Sequence, residues 1–517
     1  MIQFASWETR RKGGDERKAK APKVRKPRIA RVMQGDRGIL GAGGGKAGYV
    51  QAPREYRGTT VQVCGLFPFI TGAASPMIGV PIGLSLMDGA PVCFDPISWF
   101  QDAKLIHNPS AFLLGKPGLG KSTLLRHLLI GQAGFGVMPL VLGDVKGEHS
   151  DLITALGGQV IRLGRGRGYV NVLDISDAQA VAERLRTNGF VKEAAEVQAD
   201  ASNRRALLVE GLIELARKSE LEDRESTVLE TALSLLDKRP EVPVLADLVA
   251  LIESRPPELA LVALDRGDAV RYQDVTENLV VTLRGLLGAG RLGEIFSQHT
   301  TVKMRRDVPV SFDISAINEH DSSLMAAALL ACWTIGFSSI AMSQVLAACG
   351  LEPLRHYQAV LDELRLILDA GDFMVDRVDR GTRLNRQLGF GLLMCTHTMS
   401  DLMACSTERA RRKACGFVER AGVVICAGLP KREMEMLTEV VPMNDAEIKT
   451  LIGWQDPPAM TRKAKRTTPP GQGHFLIKIG GRPGIPVKVV LSPSELALND
   501  TNKLWHEHSR VQKEVAV

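Results

Sequence analysis

The chain has 517 residues, of which 45% are hydrophobic and 24% charged, and its mean hydropathy is 0.00. That profile excludes wholesale disorder, collagen-like repeats and a multi-span membrane protein, and the length asks for two or three domains. Eight cysteines without a CxxC pair are too few for a disulfide framework and point to a reducing compartment.

The net charge of +7 is unevenly placed. Between Arg10 and Arg37 there are twelve Lys/Arg against three Asp/Glu, a surplus larger than the whole chain's, so the body is close to neutral. Residues 1–57 therefore read as a basic flexible arm, rich in Gly and Pro and without periodic apolar positions. The arm suits DNA, acidic lipid headgroups or a partner protein, or serves only as a solvated tail. Arg10-Arg11 lacks the apolar stretch that an export signal needs. Residues 58–107 follow as a small β-rich N-terminal segment. Gly58 to Met87 carries no charge, but Pro68, Pro76 and Pro81 break it into short strands and turns.

Next comes the strongest signal. The apolar run Ala111-Phe112-Leu113-Leu114 leads into Gly115-Lys116-Pro117-Gly118-Leu119-Gly120-Lys121-Ser122-Thr123, and a helical pattern from Leu124 follows. This is GxxxxGKS in full, in the strand–loop–helix setting that a phosphate-binding loop requires. Its backbone N–H groups and the new helix N-terminus suit phosphate oxygens, Lys121 suits the β- and γ-phosphates, and Ser122 suits Mg²⁺. A further strand, Pro139 to Gly143, ends in Asp144-Val145-Lys146-Gly147-Glu148. Asp144 and Glu148 there are candidates for the nucleotide crevice, against a plain strand-to-helix turn.

Residues 108–185 make up the first part of the core. The pattern then turns helical: Leu208, Leu212 and Leu215 share one helix face, as do Val228, Ala232 and Leu235. Residues 186–300 are therefore expected to form an all-helical insertion. The core resumes over 301–505, and 506–517 is a tail. Within it, Ser322 to Leu351 is uncharged and long enough to span a membrane, but its Ser, Thr and Gln residues favour a buried core helix. Ala359-Val360-Leu361 is a strand ending in Asp362 and Glu363. Asp362 is expected to hold Mg²⁺ through water, and Glu363 to polarise the hydrolytic water. A fourth strand, Gly391 to Cys395, ends at Thr396-His397, where His397 either senses the γ-phosphate or is a structural histidine. Cys395-Thr396-His397 lacks the further ligands of a zinc site.

Taken together, GKPGLGKST, DVKGEH (Asp144–His149), Leu156–Asp174, VLDEL (Val360–Leu364), CTHTMSDL (Cys395–Leu402) and Gly473–Glu495 resemble the TraC-like, VirB-type ATPases of conjugative and type IV secretion systems. These belong to the HerA/FtsK group of P-loop motors, and the shorter actinobacterial members are the most alike. The resemblance runs from about Gly58 to Trp505. It implies an α/β fold: a RecA-like P-loop ATPase domain with an all-helical insertion and a small N-terminal β-rich segment. It also implies ATP and Mg²⁺ as cofactors, a homo-oligomeric, hexameric ring, and membrane-embedded secretion channel subunits as partners. The expected location is cytoplasmic, peripheral on the inner face of the membrane.

Lys121, Ser122, Asp362 and Glu363 match the family's phosphate, metal and water-activating positions. For the arginine that in the family reaches a neighbour's γ-phosphate, the candidates here are Arg386 and Arg420, against plain surface arginines. His397 stands where relatives carry Gln, and the large N-terminal domain of many relatives has no counterpart before Gly115. A conjugation-type motor leads the readings. A DNA translocase of the FtsK, HerA or coupling-protein kind, and a nucleotide-gated scaffold without turnover, are the alternatives.

Overall fold

The computed structural model describes residues 34–35, 38–39, 75–287, 293–318, 320–369, 371–383, 385–457 and 469–498. The chain divides into two units, residues 1–67 and 68–517. The described part of the first is a short antiparallel pair, β1 (Gln34–Gly35) and β2 (Gly38–Ile39). The rest of the basic arm, most of the charge-free stretch from Gly58 and the tail over 506–517 lie outside the described residues.

The strands of the second unit are, in chain order, β3 (Pro81–Ser85), β4 (Pro91–Cys93), β5 (Ser110–Leu114), β6 (Val137–Asp144), β7 (Gln159–Arg162), β8 (Val310–Asp313), β9 (His356–Leu361), β10 (Phe390–Cys395), β11 (Val423–Cys426), β12 (His474–Lys478) and β13 (Ile485–Val489). They form one eleven-stranded sheet in the order β4-β3-β13-β12-β11-β5-β10-β9-β6-β8-β7. From β11 to β7 every neighbouring pair is parallel, and β12, β13, β3 and β4 close the other end antiparallel. Parallel strands covered on both faces read as continuous apolar runs. Accordingly, all of Ser110–Leu114 and Phe390–Cys395 is buried.

Two consequences place the site. The parallel strands all end at one edge, so the loops after β5, β10, β9 and β6 emerge side by side, as ligand crevices in such sheets require. And β10 lies between β5 and β9, so the strand ending near His397 separates the P-loop strand from the one ending in Asp362 and Glu363. The described part of the 58–107 segment, from residue 75, supplies β3 and β4, which extend this sheet through β13.

Between β7 and β8 the described elements are all helical: Ser176–Thr187, Val191–Arg217, Asp223–Leu236, Leu245–Glu253, Pro257–Val262, Ala269–Gly285 and Gly293–Phe296. The run begins earlier than the 186 boundary read from periodicity. Leu208, Leu212, Leu215, Val228 and Ala232 are all buried, as the helical spacing predicts. Local signals set the ends. Glu222 and Glu225, for example, form a reciprocal capping box at the start of Asp223–Leu236.

The first two of these helices bury Val181, Leu185 and Val197 together with Met342 and Leu346 of the helix Ser322–Ala348. That 27-residue helix is apolar enough to cross a membrane, but 72% of its most apolar window is buried inside the protein. It lies on the sheet: Trp333 Nε1 donates to the Leu142 carbonyl at 2.7 Å. Close approach at Gly336 allows this, since a Cβ there would stand 2.2 Å from Leu142 Cδ2. It is the core helix that its interrupting polar residues suggested.

Candidate nucleotide-binding site

The P-loop joins β5 to the helix Lys121–Gly134. Gly118 and Gly120 take left-handed φ values of 81° and 100°, conformations costly for residues with a side chain. A Cβ on Gly115 would lie 2.5 Å from that of Ala427. The loop is held on several sides. Gly115 N donates to the His397 carbonyl at 3.1 Å, Lys116 N to that of Gly428 at 3.2 Å, and Gly473 N to that of Leu119 at 3.0 Å. Lys116 Nζ reaches Gln455 Oε1 at 3.1 Å. Pro117 and Gly118 are the exposed tip, Leu119 is buried, and Ser122 and Thr123 sit in the first turn of the helix.

Asp362 and Glu363 follow β9. Glu363 has φ 52°, a strained backbone for a residue with a side chain and one that marks functional positions. Asp362 Oδ1 accepts from the Glu363 N–H at 3.0 Å. The Glu363 carboxylate is almost fully buried, and its Oε1 meets His397 Nε2 at 3.2 Å and Lys146 Nζ at 2.6 Å. His397 Nδ1 in turn lies 2.9 Å from Lys121 Nζ, and the same ammonium donates to the Gly115 carbonyl. Lysine only donates and a carboxylate only accepts, so the contacts assign His397 a proton on Nε2 and a lone pair on Nδ1. One row of polar groups, Lys121–His397–Glu363–Lys146, thus runs across the ends of four neighbouring strands, β5, β10, β9 and β6.

The electrostatics follow from that row. Burial alone would raise the Glu363 carboxyl, but hydrogen bonds from His397 and Lys146, and the Lys146 charge, bring it down to about 2. Burial pulls the Lys121 ammonium below its ordinary value. Asp362 is lowered too: desolvation works against its charge, and the imidazole of His149 outweighs it.

His397 therefore takes a place at the centre of the site, fixed by Asp401. One carboxylate oxygen of Asp401 accepts from Thr396 Oγ1 at 2.9 Å, His397 N at 3.1 Å and Thr398 N at 2.9 Å. Asp144 corrects its expectation. Its carboxylate is buried and taken up by the backbone N–H groups of Glu148, His149 and Ser150 at 2.9, 2.8 and 3.1 Å, so it clamps the loop after β6 rather than facing a ligand. Glu148 is half-buried, and its charge acts on Lys146 and Arg126.

Arg386 and Arg420 precede β10 and β11, at the edge where the strands begin and away from this chain's own P-loop. Arg420 pairs with Asp379, and the exposed Arg386 lies 5.8 Å over the Phe100 ring. Sequence reasoning passed over Lys146, His149 and Asp401. The signal for the first two was their position just past the end of a parallel strand of the same sheet.

This donor set fits a magnesium nucleoside triphosphate. A glycine loop opens a fourteen-residue helix for phosphate, with a buried lysine beside it. Ser122 and Asp362 would supply hard oxygen ligands of the kind Mg²⁺ takes. Bound there, the metal would neutralise phosphate charge.

No protein-family model matches the chain, and neither does any curated protein. Among solved structures, VirB4 of Thermoanaerobacter pseudethanolicus superposes over 82% of this chain and 100% of its own, with 17% identity and a TM-score of 0.57. The plasmid coupling protein TrwB in complex with ADP and Mg²⁺ matches more loosely, at 14% identity over 81% of this chain and 91% of its own, with a TM-score of 0.43. At this level of identity the likeness concerns the backbone architecture alone, and the chain carries the RecA-like P-loop fold that its motifs implied, in the form seen in VirB4.

Proposed function

We propose that the chain is a Mg²⁺-dependent ATPase, working as a homo-oligomeric ring that energises channel assembly or substrate transfer in a conjugative or type IV secretion-like apparatus. The observation that carries this reading is the hydrogen-bonded row from Lys121 through His397 to Glu363, with Asp362 adjoining. In it Lys121 binds the β- and γ-phosphates, and Ser122 and Asp362 hold the metal. Glu363 takes a proton from the water whose oxygen attacks the γ-phosphorus as the bond to ADP breaks. His397 orients Glu363 and registers whether Lys121 is engaged. Arg386 or Arg420 reaches the phosphate of a neighbouring subunit. The motif resemblance and the fold shared with VirB4 support the secretion setting, with membrane channel subunits as partners on the cytoplasmic face.

The test is ATP hydrolysis by the purified chain alone, with single-stranded DNA and with duplex DNA, each also with Glu363→Gln. Turnover that Glu363→Gln lowers by roughly 10²–10⁴-fold, the worth of a positioned general base, supports the reading. Nucleotide binding without turnover would make the chain a gated scaffold instead. Strong stimulation by duplex at physiological salt would favour a DNA translocase. Indifference to DNA, with activity rising as the chain oligomerises, favours the secretion motor. Repeating the assay without residues 1–57 locates any DNA contact in the basic arm.

A further inference from the structure

The polar row at the site contains one cation that phosphate binding by Lys121 does not explain. Lys146 Nζ is 2.6 Å from Glu363 Oε1, and its side chain is 47% exposed against 10% for Glu363. A carboxylate engaged by an ammonium is a poor acceptor for a proton from water, so the group that should activate water is occupied. The pairing has one movable partner. The loop beneath Lys146 is clamped by Asp144 through three backbone N–H groups, and it turns at Gly147 with φ 69°. Glu363 is fixed by its own left-handed backbone and by Asp362. What remains free to swing is an ammonium on a flexible four-carbon stem. Lys146 and Lys121 also feel each other's charge, so both ammonium groups serve one small region.

We propose that Lys146 is an ATP-gated latch on Glu363: it blocks the water-activating carboxylate until the terminal phosphate of ATP draws its ammonium away. This inference rests on the ATPase reading above. A terminal phosphate carries more negative charge than one carboxylate, and in a site partly shielded from water that difference moves a mobile ammonium. ADP has no γ-phosphate, so Lys146 stays on Glu363 and the site stays unarmed. Lys146 thereby distinguishes ATP from ADP and couples that distinction to water activation.

The test is a double-mutant cycle on nucleotide affinity, read by fluorescence titration of the full chain with a non-hydrolysable ATP analogue and with ADP. Glu363→Gln weakens the latch, so affinity for the analogue should rise roughly tenfold, within the range of coupling between residues in contact, while ADP affinity stays constant. In Lys146→Met/Glu363→Gln that gain should vanish, and in Lys146→Arg/Glu363→Gln it should persist. An equal gain with and without the Lys146 cation would mean that Glu363 merely repels phosphate, and the latch is then refuted. So it is if Lys146→Met alone leaves the preference for the analogue over ADP intact. Should the unaltered chain bind neither nucleotide, the ATPase reading itself fails.

Discussion

The Nε2 of His149 lies 3.5 Å from Oδ2 of Asp362, and the imidazole is wholly shielded from solvent. Neither ring nitrogen has a hydrogen-bond partner among the described residues. Asp144 holds the His149 backbone, so the ring reaches the proposed metal ligand from a fixed base. Outer partners of this kind typically change metal affinity by about 10–100-fold when removed. His149→Phe, which keeps a flat ring but no nitrogen, should weaken Mg²⁺ binding by roughly tenfold on that basis. Titrating Mg²⁺ against nucleotide binding checks it, and an unchanged Mg²⁺ requirement would show that the ring only fills space.

Glu363 also makes a statement about stability. Its carboxyl is held at about 2 against an ordinary value of 4.5. A depressed acid contributes stability that is complete above the ordinary value and is lost as pH falls toward the folded one. Between those two pH values, the unfolding free energy of the nucleotide-free chain should fall more steeply than that of Glu363→Gln. Denaturant unfolding across that range measures it; parallel slopes would mean the pairs with His397 and Lys146 contribute nothing in solution.

His397 bridges Lys121 and Glu363 with one acceptor and one donor, and a glutamine side chain offers the same two functions. His397→Gln should therefore keep activity within several-fold, whereas His397→Ala, which offers neither function, should break the bridge and lower turnover further. Steady-state ATP hydrolysis by the two variants checks it, and equal rates in both would take His397 out of the role.

At the antiparallel end, Lys478 Nζ lies 2.9 Å from each carboxylate oxygen of Glu447, with both side chains buried. Lys478→Met would strand a buried carboxylate, at a cost of about 3–5 kcal/mol. Removing both charges with Glu447→Gln added, which keeps one oxygen acceptor for the N–H groups of Gly484 and Asn444, should recover part of the loss. Thermal unfolding of the single and double variants decides it, and a single variant as stable as the parent would show that the pair is not buried in solution.

Much of this molecule was legible in its chain. Local patterns reach only as far as their neighbours: the glycine loop between strand and helix, the acids ending β9, the 3.6-residue spacing through Leu208 and Val228, and the polar interruptions of Ser322–Ala348 each concern residues close in sequence. They named the fold class and the phosphate, metal and water-activating candidates. Which of those groups touch depends on strand order, and strand order is fixed by long-range packing that no short motif encodes. Only the fold placed β10 between β5 and β9. It thereby set His397 between Lys121 and Glu363, turned Asp144 inward to clamp a loop, and brought Lys146, 217 positions before Glu363 in the chain, within hydrogen-bond distance of its carboxylate.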